Sequence, residues 1–172
     1  MTKSALKDAL QNSFNGLAQQ THSLTEQQFF APIGEKWSVA ENILHLTQSV
    51  KALNQGLALP KQVLVQQFGT IERPAFDYDG VVAAYLAVLS TGAVAKGIYV
   101  PTLPENPSKE MLLESFVKHH NILAGFLDDW SEQELDEICI RHPVLKLLTI
   151  REIYYFMHYH IEHHKKAIMK GL

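Results

Sequence analysis

The sequence predicts an all-α protein that forms a four-helix bundle with long connections between some of its helices. Several long segments repeat apolar residues at three- and four-residue intervals, which is the spacing of a helix with one buried face. Three segments begin with Ser or Thr followed three residues later by Glu, a pair that caps a helix start. No two candidate strands are joined by residues typical of a hairpin turn, so we expect no β-hairpin.

The composition indicates one globular domain spanning residues 1–172. Hydrophobic residues make up 47% of the chain and charged residues 19%, which are ordinary values for a protein with one core. The net charge is −3 and the basic residues form no concentrated patch, so nucleic acid is not an expected partner. The single cysteine, Cys139, excludes an internal disulfide bond. Neither a signal peptide nor a run of about 20 apolar residues is evident, so we expect a cytoplasmic protein without a membrane partner.

The first part of the chain predicts two long helices separated by a short helical turn that starts at Thr25. The first helix covers residues 4–20, and its apolar stripe consists of Leu6, Leu10, Phe14 and Leu17. Ser38 and Glu41 cap the second helix. The stripe of this helix consists of Val39, Ile43, Leu46, Val50 and Leu53. On a helical wheel His45 lies about 120° from the centre of that stripe. Periodicity alone therefore places His45 on the surface or at a helix interface.

The middle of the chain alternates between connections and a third helix. Prolines and a glycine interrupt residues 58–77, so this segment is predicted to connect two helices. Within it, residues 61–68 are compatible with either a short helix or irregular structure. Residues 79–95 are rich in Ala and Val and predict a helix, because a strand of that length would be unusual. Residues 96–107 contain three prolines and predict a loop.

The next helix is capped by Ser108 and is predicted to run to about residue 129. Its apolar stripe includes His120, so this histidine faces inward. We favour a hydrogen-bonded core role for His120, and the alternative is a residue that supports a metal ligand or is itself one. A third capping box starts a short helix at Ser131. Residues 137–148 then predict an extended segment.

The segment from residue 150 to residue 172 holds four of the nine histidines within seven residues. Thr149 and Glu152 form a capping box, and the absence of Pro predicts one helix of about 20 residues. His160 and His164 lie one turn apart on its apolar stripe, while His163 lies on the flank. Histidines at this spacing can bind the same metal ion. The alternatives are a hydrogen-bonded pair or a water-filled pocket, since burying unpaired polar rings costs roughly 1–3 kcal/mol each.

Two stretches of the sequence resemble motifs of the DinB/YfiT-like superfamily. The first is residues 35–46, in which a Trp-Ser pair opens a helix that carries His45. The second joins His142-Pro143 to the final helix and its His160-Ile-Glu-His-His164 sequence. Helix order and length match this superfamily across nearly the whole chain. The chain departs from the family where a Gly often follows the His-Pro pair, because it has Val-Leu-Lys at residues 144–146.

The resemblance implies a metal site formed by His45, His160 and His164. Three imidazoles that leave coordination positions open are typical of a catalytic rather than a structural site. The resemblance implies a divalent transition metal, with zinc or nickel as the first choices. His163 matches the first histidine of the doubled pair, and we expect it at the rim of the site. It and His120 are candidates for supporting the metal ligands or assisting proton transfer.

For function, the resemblance implies first a metal-dependent thiol S-transferase that acts on a small-molecule substrate and uses a low-molecular-weight thiol. A metal-dependent hydrolase is the alternative enzyme, but the nearest carboxylates, Glu41 and Glu162, point away from the histidine faces of their helices. A non-catalytic metal-binding or interaction bundle is the third hypothesis. The resemblance also implies a homodimer.

Overall fold

The computed structural model describes residues 1–171, which are mostly helical and form the predicted four-helix bundle. The helices are α1 (Lys3–His22), α2 (Glu26–Phe30), α3 (Val39–Leu57), α4 (Lys61–Phe68), α5 (Tyr78–Ser90), α6 (Lys109–Phe126), α7 (Glu132–Glu137) and α8 (Ile150–Met169). Single 3₁₀ turns cover Gly97–Tyr99 and Leu127–Asp129. The last residue of the predicted domain, 172, lies outside the described residues, and the single domain stays a prediction.

The bundle consists of the four long helices α1, α3, α6 and α8. Helices α1 and α3 each pack against both α6 and α8, so the order around the bundle is α1, α6, α3, α8. Consecutive long helices are therefore not always neighbours, and the long connections cross the bundle. Its core contains the fully buried rings of Phe14, Phe116 and Tyr154. The hydroxyl of Tyr154 donates a hydrogen bond of 2.8 Å to the carbonyl of Leu123, which satisfies the one polar atom of that buried ring.

The expectation of no β-hairpin was wrong. Strand β1 (Cys139–His142) pairs antiparallel with β2 (Lys146–Thr149), and His142 faces Lys146 across the turn. The residue with positive φ in this turn is Lys146, with φ of 64°, where a hairpin usually has Gly, Asn or Asp. His142 also accepts hydrogen bonds from the backbone N–H groups of residues 144 and 145 through its Nδ1. A lysine in the left-handed conformation and a histidine side chain thus form this turn, and neither residue type identifies a hairpin turn in a sequence.

Most predicted helix starts are confirmed, whereas some predicted ends are not. The capping boxes of α3, α7 and α8 are all present. Residues 61–68, which the sequence left open, form α4. Helix α5 ends at Ser90 rather than near residue 95, because the chain turns at Gly92 with φ of 81°. Residues 93–95 line a cavity instead. Helix α6 ends at Phe126, and its continuation to residue 129 is a 3₁₀ turn.

The start of α8 is fixed by the buried carboxylate of Glu152. Its two oxygens accept hydrogen bonds from both terminal nitrogens of Arg73 at 2.7 Å. They also accept from the backbone N–H groups of Phe76 at 2.6 Å and Thr149 at 2.8 Å. This carboxylate therefore joins the α4–α5 connection to the helix that carries four of the nine histidines. None of the helices formed by residues 1–171 is both long and apolar enough to span a membrane.

Candidate metal centre

Three histidines from two helices converge inside the bundle. His45 comes from α3, and His160 and His164 come from successive turns of α8. The Nε2 atom of His160 lies 3.1 Å from Nε2 of His45 and 3.1 Å from Nε2 of His164. All three candidate ligand atoms lie within 4.8 Å of one another. The side chains are buried, with exposed fractions of 7%, 4% and 9% for His45, His160 and His164. The structure thus brings together the three residues that the resemblance implied.

The helical wheel of α3 left the surface or a helix interface open for His45, and in the structure His45 lies at the interface of α3 with α8. Its side chain leaves the apolar stripe, but α8 and the 3₁₀ turn Gly97–Tyr99 cover that flank of the helix. The indole ring of Trp37 packs 5.0 Å from the His45 ring, measured between centroids, and stacks on His164 at 6.3 Å. Periodicity describes one helix alone, so it cannot show a cover that comes from a loop more than 50 residues away.

Hydrogen bonds to the outer nitrogens orient two of the rings. Nδ1–H of His45 donates to the backbone carbonyl of Tyr99 at 2.7 Å, and Nδ1–H of His164 donates to Oδ1 of Asn42 at 2.7 Å. The amide nitrogen of Asn42 donates to the carbonyls of Trp37 and Ser38, which fixes its oxygen toward His164. In their neutral forms, His45 and His164 therefore each present the lone pair of Nε2 to the cluster.

The cluster cannot satisfy its own nitrogens. His160 can donate one Nε2–H, but two acceptor nitrogens lie at 3.1 Å from that atom. Its Nδ1 atom is buried and has no hydrogen-bond partner among residues 1–171. A cation between the three Nε2 atoms removes the conflict. For comparison, two nitrogens bonded to a tetrahedral zinc ion at about 2.0–2.1 Å lie about 3.3 Å apart. The donor set therefore fits a first-row divalent metal. The two 3.1 Å separations come close to that spacing, whereas the widest separation in the cluster, up to 4.8 Å, exceeds it.

Burial keeps these imidazoles in the neutral form that binds metals. It lowers the pKa of His45 below its ordinary value, although the hydrogen bond to Tyr99 opposes the shift. Burial also lowers the pKa of His160 and His164 well below the ordinary value, and the neighbouring histidines add to this effect. All three rings are therefore neutral near pH 7, with lone pairs available for coordination.

The three histidines line part of a cavity of about 770 Å³. Helices α3, α5 and α8, the hairpin and the loop after α5 provide its walls. Within residues 1–171, no Asp or Glu lines it. The two carboxylates considered as general bases are engaged elsewhere, since Glu41 caps α3 and Glu162 lies 3.8 Å from the ammonium of Lys165. This outcome agrees with the wheel, which pointed both away from the histidines.

The chain is similar to a known protein family and to a solved structure. The family model described as the DinB superfamily matches residues 9–168, which is nearly the whole chain. The chain belongs to the DinB superfamily. A solved structure similar to this chain is that of YfiT from Bacillus subtilis, described as a probable metal-dependent hydrolase with an unusual four-helix bundle topology. The TM-score is 0.64 at 18% sequence identity, covering 98% of this chain and 84% of YfiT, which establishes a shared fold. A comparison with curated proteins finds no match.

The two remaining candidate histidines of this DinB-superfamily chain lie in different places. His163 is half-buried, lines the cavity, and has its ring centroid 5.4 Å from that of His164, as expected for a residue at the rim. His120 is fully buried between Phe14 and Phe116, and its Nδ1–H donates to the carbonyl of Phe116 at 2.8 Å. The structure does not bring His120 into the cluster, and its contacts are those of a core residue.

Several residues around the cluster were not predicted to have a role. Asn42 and Tyr99 accept the hydrogen bonds that orient His164 and His45, and His142 also lines the cavity. The position of Asn42 three residues before His45 on the same helix is a usable signal, because it places both side chains on one side of α3. The contribution of Tyr99 comes from its backbone carbonyl, so no feature of its side chain indicates it.

Proposed function

We propose that this DinB-superfamily protein is a metal-dependent enzyme in which His45, His160 and His164 hold a divalent transition metal, with zinc or nickel as the first choices. The observation that carries the proposal is the convergence of three Nε2 atoms, two of them fixed as lone-pair donors by hydrogen bonds to Tyr99 and Asn42. The metal chosen depends on availability as well as on the ligands, because imidazole suits several first-row ions.

We propose thiol S-transfer to a small-molecule electrophile as the reaction. When bound, a divalent ion supplies Lewis acidity, which lowers the pKa of a coordinated thiol or water and provides a nucleophile at neutral pH. The rings of Trp37 and Phe156 pack against His45 and His160 and also line the cavity, so they shield the histidines from water with apolar surface. The same cavity gives the second substrate access. No carboxylate among the described residues lines the cavity, which favours a nucleophile that needs no separate general base.

A metal-dependent hydrolase is the second candidate, and the description of YfiT favours it. In that reaction a base must orient and deprotonate water. The side chain at the cavity that offers this chemistry is His163, since burial lowers the pKa of its ring and keeps it neutral. Nδ1 of His142 already accepts two backbone hydrogen bonds, which leaves that ring no free lone pair. The low-molecular-weight thiol and the homodimer are predictions from the resemblance, and the cytoplasmic location is a prediction from the sequence itself.

The first test is elemental analysis of the purified protein beside a His160→Ala, His164→Ala double variant. We expect about one transition-metal ion per chain in the wild type and none in the double variant. His22→Ala is the matched control, because His22 is exposed and lies outside the cluster. Absence of metal from the wild type after reconstitution with zinc, nickel and manganese contradicts the proposed centre.

The second test separates the reactions in the metal-loaded protein. Conversion of monobromobimane with added thiol, lost in the double variant, supports S-transfer. Hydrolysis of an activated ester or amide without thiol supports the hydrolase. Full metal loading with neither activity supports a non-catalytic metal-binding bundle.

A further inference from the structure

The cavity beside the histidines has an apolar wall that extends to its mouth. Away from the cluster, its lining is mainly aliphatic, and representative residues are Leu53, Val88, Leu89, Ala93, Val94 and Ile140. At the mouth several of these side chains remain in contact with solvent, and Val94 is 70% exposed. Leu59 and Val144 also line the cavity and are 39% and 40% exposed. Apolar side chains that line a cavity and stay exposed favour a ligand that covers them.

The charges at this cavity all have one sign. Lys96, from the loop after α5, and Arg141, from β1, line it and are exposed. Within residues 1–171 neither side chain forms an ion pair, and no carboxylate lines the cavity. The chain as a whole has a net charge of −3, so the mouth of the cavity differs in sign from the protein around it. A local excess of positive charge attracts anions and raises their concentration at the site.

We propose that the cavity binds an amphipathic organic anion. Its apolar body contacts the aliphatic wall and points toward the histidines, and its anionic group lies between Lys96 and Arg141 at the mouth. The proposal rests on the proposed function in one respect, since it names the class of organic substrate that reaches the three-histidine centre. A ligand rich in hydroxyl or amide groups fits less well, because the aliphatic wall leaves such groups without hydrogen-bond partners.

Calorimetric titration of the full-length, metal-free protein with octanoate tests the charge and the apolar body together. Octanol and octylamine are matched probes with the same chain and a neutral or cationic head. We expect octanoate to bind one per chain, about tenfold more tightly than octanol, since two solvent-exposed ion pairs each contribute modestly. Added salt should reduce that difference, and octylamine should bind most weakly. Equal affinity for octanoate and octanol, or no octanoate binding, overturns the proposal.

Amino-acid substitutions test where octanoate binds in the protein. The Lys96→Met, Arg141→Met double variant should lower octanoate affinity about tenfold, to the level of octanol, and leave octanol binding unchanged. Lys51→Met with Lys118→Met is the control, because it removes two exposed lysines elsewhere on the surface. Ala52→Phe narrows the cavity from α3 and should weaken both octanoate and octanol. Circular dichroism confirms that each variant is folded before titration.

Titrating the metal-free protein keeps this test separate from the test of the proposed function. Octanoate binding without metal supports the amphipathic-anion site even if the protein proves to have no metal-dependent activity. Repetition with zinc-loaded protein locates the anionic group. Octanoate binding that requires zinc and is unaffected in the Lys96→Met, Arg141→Met variant places the carboxylate at the histidines and overturns the assignment to the mouth.

Discussion

Nδ1–H of His45 donates a hydrogen bond of 2.7 Å to the backbone carbonyl of Tyr99, which lies 54 residues further along the chain. A carbonyl oxygen only accepts, so this contact fixes the tautomer of neutral His45 and leaves Nε2 free for the cluster. The same loop carries Lys96 and forms part of the cavity wall. The orientation of a proposed metal ligand and the shape of the cavity therefore depend on one loop.

Asn42 performs the same function for His164 through its side chain, so it can be tested by substitution. Asn42→Leu removes the acceptor of Nδ1–H, and we expect metal affinity to fall about 10- to 100-fold. In the metal-free protein, two-bond ¹⁵N–¹H NMR spectra of the ring should show a loss of the single Nδ1–H tautomer of His164. Asn42→Asp keeps an acceptor oxygen and should preserve that tautomer.

Asn54→Leu is the matched control for Asn42→Leu. Asn54 lies on the same helix, but its amide nitrogen donates to the carbonyl of His119 on the side of α3 that faces α6. We expect Asn54→Leu to lower the free energy of unfolding and leave metal affinity unchanged. An equal loss of metal affinity in both variants shows that Asn42 acts through the stability of α3 rather than through His164.

The sequence predicted α8 and its histidine pair because the signals are local. The Thr149–Glu152 capping box and the spacing of His160 and His164 both lie within one helix, so no knowledge of packing is needed. His45 required the resemblance, since its burial depends on where α3 meets α8 and the loop at Tyr99. Neither helical periodicity nor the resemblance predicted the cavity. Its walls come from segments that are far apart in the sequence and from a loop that begins where α5 ends earlier than predicted.

His120 should make the protein sensitive to acid. Burial lowers its pKa to about 4 in the folded state, against an ordinary value of 6.5. Below pH 6.5 the unfolded chain therefore binds a proton that folded His120 does not, and the free energy of unfolding falls as the pH falls toward 4. The shift corresponds to a loss of about 3 kcal/mol at pH 4 or below.

Urea denaturation of the metal-free protein between pH 4 and pH 7 measures this contribution. His120→Leu fills the site with an apolar side chain of similar size. It should still lose stability at pH 7, because the hydrogen bond to the carbonyl of Phe116 is missing. Its stability should nevertheless vary less with pH than that of the wild type. The same pH dependence in both proteins contradicts the assignment, and His142, whose pKa burial also lowers to about 4, is then the next candidate.

Loss of the Glu152 carboxylate should be among the most destabilising single changes in the chain. Its side chain is 1% exposed and is paired with Arg73, whose side chain is 35% exposed. Glu152→Gln leaves the guanidinium without its anionic partner and removes one acceptor from the backbone N–H groups at the start of α8. We expect a loss of about 3 kcal/mol in the free energy of unfolding by urea, since breaking a buried ion pair typically costs that much.

The Lys7–Asp128 pair provides the comparison for Glu152. Both its charges reach solvent, and the Asp128 side chain is 65% exposed. Asp128→Asn should cost less than about 1 kcal/mol, as expected for a surface ion pair. A double-mutant cycle with Arg73→Met and Glu152→Gln then isolates the pair itself. A coupling energy near zero in that cycle shows that the backbone contacts of Glu152, rather than Arg73, fix the start of α8.

Lys146→Gly should stabilise the hairpin that the sequence failed to predict. Lys146 has φ of 64°, a left-handed conformation that costs an L-residue with a Cβ roughly 1–2 kcal/mol. Glycine adopts it freely but loses more entropy on folding, so we expect a net gain of about 0.5–1 kcal/mol in the free energy of unfolding. Lys146→Val should be destabilising, because a β-branched side chain tolerates this conformation least. If both variants lose stability equally, the lysine side chain rather than the backbone conformation determines the contribution of this position.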